Sequence, residues 1–120
     1  FNPKDAGYDD ILALLRRAVE KGLSDELLWK TLWEIALLEK TWGREPAALS
    51  AFSELATARN PYQVSALEEL AKYYEHRERN YNMALEFTNS AIALKDNGEL
   101  QRRATRLRKR IARPAARRLL

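Results

Sequence analysis

Leu32-Trp33-Glu34-Ile35-Ala36 and Leu67-Glu68-Glu69-Leu70-Ala71 carry the same apolar frame 35 residues apart, and that echo decides the fold. In each segment large apolar side chains stand at the first and fourth positions and Ala at the fifth, a spacing that places all three on one helix face. A second set, Ala48, Phe52 and Leu55, returns 36 residues later as Ala84, Thr88 and Ala91. Each unit therefore reads as a helix, a tight turn and a helix. The small residue of the first helix (Ala36, Ala71) lets the second approach through its own Ala (Ala48, Ala84), and larger side chains fill the flanks.

Working outward, the helix punctuation is legible along the chain. Asp9 and Asp10 precede an apolar stripe of Ile11, Leu12, Leu14, Leu15, Ala18 and Val19 that stops near Gly22. Ser24 can cap the next helix, with Asp25 and Glu26 in its first turn, and the stripe from Leu28 runs to Gly43. Pro46 suits the first turn of the following helix, and Asn60-Pro61 predicts another start of the same kind. Asn80 predicts a cap, Asn97-Gly98 a stop, and Leu100, Ala104, Leu107 and Ile111 a last helix before Pro114. The expectation is an all-α chain of about six helices, antiparallel hairpins stacked as a short superhelix, because connections this short force neighbours to run in opposite directions. Its parts are a leading half-repeat (8–22), two repeats (24–60 and 61–97), a capping helix (99–113) and a tail (114–120).

Composition agrees. Of 120 residues 46% are hydrophobic and 32% charged, with four Gly and four Pro, too apolar for disorder and too poor in turn residues for a many-stranded β fold. With no Cys, disulfides and Cys-based metal sites are excluded. No apolar run reaches the length of a membrane span. The net charge of +4 conceals a split: residues 101–120 hold 9 of the 21 basic side chains and none of the 17 acidic ones, leaving 12 − 17 = −5 for the rest.

The positions of Leu32, Ile35, Ala36, Gly43, Ala48, Phe52, Leu55 and Asn60-Pro61, and of Leu67, Leu70, Ala71, Tyr74, Tyr81, Ala84, Ala91 and Asp96, resemble the tetratricopeptide repeat (TPR) pattern. The departures are Glu39 in place of the usual Tyr, Leu55 in place of a small residue and Thr88 in place of an aromatic. More narrowly, Leu67 to Tyr81 with Ala84-Leu85, and Trp33 to Lys40, resemble the C-terminal TPR-like region of bacterial YprB-type proteins. That resemblance implies an N-terminal ribonuclease-H-like domain ahead of residue 1 and so a chain that is part of a longer protein. A cytoplasmic setting is the expectation from the lack of Cys, of a membrane-length apolar run and of a signal-peptide pattern. None of that family's nuclease residues falls within this sequence.

The sequence points to binding and away from catalysis. His76 is the single His, set among Glu75, Arg77, Glu78 and Arg79 with no Ser or Cys nearby to act as a nucleophile. Adjacent carboxylates such as Glu68-Glu69 point about 100° apart on a helix and do not form one site. The four Gly stand singly, so no phosphate loop is present. No cofactor or metal is expected. In a TPR-like array the first helices line a groove, which places Lys30, Trp33, Leu37 and Lys40 beside Ser65, Glu68, Lys72, Glu75 and His76. Trp33 and Glu68 occupy positions where members that clamp a peptide carboxylate begin the clamp, so that mode is not expected. Trp33 reads either as an anchor for a partner's apolar side chain or, preferably, as packing under the leading half-repeat.

The second candidate surface is the last helix. Arg102, Arg103, Arg106, Lys109, Arg110 and Arg113 are candidate phosphate contacts, and Arg117 and Arg118 continue the charge. Without interleaved aromatics any nucleic-acid contact would be salt-dependent and sequence-blind. A solvated cap face, a dipole-favoured C-terminus and pairing with the acidic body are the competing readings. The expected partner is a protein or a neighbouring domain of the same chain, with non-specific nucleic acid as the alternative. Self-association through an unfilled groove is also allowed, and no membrane role is expected.

Overall fold

Ser24 begins the first fully described helix by accepting a hydrogen bond from the Leu27 backbone N–H at 3.3 Å, with Asp25 and Glu26 in the first turn. The structure, a computed structural model, describes residues 24–113 and, ahead of them, residues 10, 13, 14, 17 and 20–22. Within those residues lie five complete helices and no strand: α1 (Asp25–Thr41), α2 (Glu45–Ala56), α3 (Gln63–His76), α4 (Tyr81–Leu94) and α5 (Gly98–Ala112). The expected leading half-repeat lies mostly outside the described residues, although Asp10, Ala13, Leu14, Arg17 and Glu20 are helical. The tail 114–120 lies outside them altogether. No helix among the described residues is long and apolar enough to cross a membrane.

The chain divides into two compact units, Phe1–Gln63 and Val64–Leu120. In the first, α1 turns into α2 through Gly43, whose φ of 74° is the left-handed conformation that Gly adopts without steric cost. The Gly43 N–H donates to the Lys40 carbonyl at 3.1 Å and the Arg44 N–H to Glu39 at 2.9 Å, so two carbonyls at the end of α1 are satisfied. Leu32 and Ala36 of α1 are buried with Ala48, Ala51, Phe52 and Leu55 of α2. Each fully buried Leu or Phe contributes about 1.5–3 kcal/mol relative to exposure.

The second unit repeats the arrangement and extends it. Leu67, Leu70 and Ala71 of α3 and Ala84, Thr88 and Ala91 of α4 are buried, and α5 adds Leu100, Ala104 and Leu107. Tyr74 stacks on Phe87 across α3 and α4, with centroids 5.5 Å apart. Thr88 holds the place that Phe52 has in the first unit, fully buried because its hydroxyl donates to the Ala84 carbonyl at 2.8 Å within its own helix. The turn between α3 and α4 has Arg79 at φ 53°, the left-handed position that Gly43 fills 36 residues earlier.

Two predicted boundaries are corrected. Asn60-Pro61 does not open a helix directly; α3 starts at Gln63. The Asn60 side chain is occupied with the end of α2, its Nδ2 donating to the Leu55 and Ala58 carbonyls at 2.8 and 2.7 Å while Oδ1 accepts from the Tyr62 N–H. Nor is Asn97-Gly98 a stop. α4 ends at Leu94, and Asn97 caps α5 by accepting from the Leu100 N–H at 2.8 Å, with Gly98 as the first helical residue.

Candidate binding surfaces

The core of the first unit uses one side of α1, and the opposite side is a candidate surface. Leu27, Lys30, Glu34, Leu37 and Leu38 fall on that side and are exposed, the three leucines by 46%, 37% and 46% in order. Lys40 is exposed at its C-terminal edge. Trp33 is half-buried: it stacks on Tyr62 at 5.6 Å between centroids and meets the edge of Phe52 at 5.7 Å. Its ring contacts are thus with Phe52 and Tyr62 of the same unit; the expected packing under the leading half-repeat lies outside the described residues. Leu27 and Leu38 were not among the predicted groove positions, although their 3.6-residue phase with Lys30 and Leu37 would have included them.

Along α3 the candidate positions separate. Ser65 and His76 are exposed, Glu68 and Lys72 are half-buried, and Glu75 is buried. Lys72 lies 3.6 Å from Glu69 one turn away. The Glu75 carboxylate accepts from Arg103 Nη1 at 2.7 Å and from Arg106 Nε and Nη2, both at 2.8 Å. His76 Nε2 stands 3.7 Å from the same carboxylate. Burial pushes the Glu75 carboxyl up; the Arg106 hydrogen bonds and charge, with the charges of His76 and Arg103, outweigh that and hold it below its ordinary value. Arg106 is raised in turn, chiefly by its hydrogen bonds to Glu75. Glu75 is thus a structural tie between α3 and α5.

A second buried carboxylate sits in the first unit. Glu39 is 2% exposed and its Oε2 is 2.9 Å from Arg44 Nε. That approach lies off the hydrogen-bond direction, and Oε2 accepts no hydrogen bond. The two are held by charge. Glu39 thus reaches across the end of α1 to Arg44.

The third surface is the outward side of α5. Arg102, Thr105, Arg106, Lys109, Arg110 and Arg113 follow one another at helical i, i+3, i+4, i+7, i+8 and i+11 spacing and line an open groove of about 350 Å³. Arg103 is covered, with 11% of its side chain exposed, and donates to the same Glu75 carboxylate that Arg106 reaches. Arg110 lies over the Tyr81 ring, 5.2 Å from its centroid, and Nη1 donates to the Tyr81 hydroxyl at 3.4 Å. Sequence reasoning placed no aromatic beside this helix; Tyr81 arrives there from 29 residues away. No protein-family model matches the chain, and no curated protein or solved structure is significantly similar to it.

Proposed function

We propose that this chain is a non-catalytic binding module built of two consecutive, divergent TPR-like repeats, holding an amphipathic protein helix on the outer side of α1. The observation that carries this reading is the set of exposed leucines there. Leu27, Leu37 and Leu38 share one side of α1 with Lys30, while the other side of the same helix is committed to its core. Leu27 lies about 15 Å along the axis from Leu37 and Leu38, with Lys30 and Glu34 between, so the pattern favours a partner helix whose apolar groups are about three turns apart and whose intervening face is polar. A neighbouring domain of the same polypeptide is one partner that fits this description. The repeat reading is supported by Ala36 with Ala48 and Ala71 with Ala84, all 0–4% exposed at equivalent places in the two hairpins.

The test is a displayed library of amphipathic helices selected against the protein and then against its Leu27→Ser/Leu38→Ser variant. Both leucines are exposed, so the variant keeps its core. Selected helices should lose at least about tenfold in affinity for the variant, the effect of removing roughly 1.4 kcal/mol of apolar contact. Selection of no binder, or of binders indifferent to the change, would refute the reading.

A further inference from the structure

The outward side of α5 lies in the second unit and shares no residue with the α1 surface, so a site there does not rest on the proposed function. We propose that this side of α5 is a binding site for the sugar-phosphate backbone of duplex nucleic acid.

Charge and its arrangement come first. Arg102, Arg106, Lys109, Arg110 and Arg113 place five cations on one side of a single helix. From Arg102 to Arg113 the axis advances about 16 Å, and a duplex carries about one negative charge per 1.7 Å of its axis, so phosphates of both strands come within reach of this length. The carboxylate closest to this set, Glu75, already accepts three hydrogen bonds, from Arg103 and Arg106. It neutralises the covered side of α5 and leaves Arg102, Lys109 and Arg113 exposed.

Two of the five cations are held in position. Arg106 is gripped by Glu75 through two of its nitrogens while 48% of its side chain remains exposed. Arg110 is steadied by the Tyr81 ring and hydroxyl. Ordering these long side chains before binding removes part of the entropy that an anion would otherwise have to offset.

The same geometry argues against other ligands. Leu100, Ala104 and Leu107 of α5 are buried in their own unit, Ile111 is half-buried, and neither Ile111 nor any other large apolar residue lines this side, which therefore offers nothing to insert into a lipid surface. Thr105 is the one uncharged side chain lining the groove, which leaves a protein partner without an apolar anchor. Tyr81 carries Arg110 over one face and no aromatic lines this side, so successive unstacked bases find no run of platforms. Backbone contact that ignores base sequence is what remains.

The experiment is fluorescence anisotropy of a labelled DNA duplex of about 20 base pairs, titrated with the full chain over a salt series. If Arg102, Lys109, Arg110 and Arg113 each neutralise one phosphate, raising salt fourfold should weaken binding about 100-fold. The Arg102→Gln/Lys109→Gln/Arg113→Gln variant, altered only at exposed positions and checked by circular dichroism, should retain only about a fourfold dependence on the same change. Two duplexes of unrelated sequence should bind alike, and an Arg117→Gln/Arg118→Gln variant should keep most of the salt dependence. The proposal is overturned by no binding at the lowest salt, by an unchanged salt dependence in the triple variant, or by its loss in the Arg117/Arg118 variant alone. Tighter binding to phosphatidylserine vesicles than to DNA at equal salt would also overturn it, in favour of a membrane surface.

Discussion

Arg106 of α5 grips the carboxylate of Glu75 in α3 through both Nε and Nη2 at 2.8 Å, across 31 residues of sequence. Arg103 completes the arrangement from one turn earlier at 2.7 Å. The two-pronged geometry matches the planar guanidinium to the planar carboxylate, and little water reaches the acceptor, which is 7% exposed. The tie fixes where along α5 the outward cations begin.

Replacing Glu75 by Gln keeps the volume but removes the charge and at least one acceptor from three hydrogen bonds. Arg103 is then left covered without its counter-charge, while Arg106 still reaches water through its outer half. The cost should be about 2–3 kcal/mol, below that of breaking a fully buried pair. Urea unfolding of wild type, Glu75→Gln, Arg106→Gln and the double variant gives the coupling between the two residues. Strictly additive losses would show that the contact contributes nothing of its own.

The same carboxylate sets an acid limit. Its folded value lies below the ordinary 4.5, so the unfolded chain takes up its proton first as pH falls. The stabilisation is therefore complete above 4.5 and is lost as pH drops through the lower folded value. The stability difference between wild type and Glu75→Gln should be retained above about pH 5 and shrink on acidification below that. A difference that instead grew in acid would contradict the assigned direction.

Arg79 occupies a left-handed backbone position at φ 53° where the first repeat has Gly43 at 74°. A side chain there costs roughly 1–2 kcal/mol, offset in part by the extra freedom Gly gives the unfolded chain. Arg79→Gly should therefore stabilise the protein by about 0.5–1 kcal/mol, read as a raised midpoint of thermal unfolding. Destabilisation would show that the Arg79 side chain makes a contact worth more than the strain.

The apolar period, the small residues at helix crossings and the caps Ser24 and Asn80 were legible in the sequence because they act within a few residues along the chain. Ser24 and Asn80 accept from the N–H three positions ahead, at 3.3 and 3.1 Å, as their types and places imply. Asn60 and Asn97 were harder, since Asn serves equally to close one helix or to open the next. Asn60 was drawn to the carbonyls of Leu55, in the last turn of α2, and Ala58, just past it, and Asn97 to the first turn of α5.

By itself the sequence determined an all-helical chain, the phase of each buried stripe and the concentration of positive charge at its C-terminal end. Only the tertiary structure decided which charges face outward and which are used internally. Arg103 and Arg106 are alike in sequence and lie less than one turn apart, yet Arg103 is covered against Glu75 while Arg106 reaches both Glu75 and solvent. Trp33 was assigned by Phe52 and Tyr62, and Arg110 was placed by Tyr81. The physical reason is range. Helix formation and capping are settled by backbone groups a few residues apart, whereas the fate of a charged or aromatic side chain depends on a partner that only folding brings near.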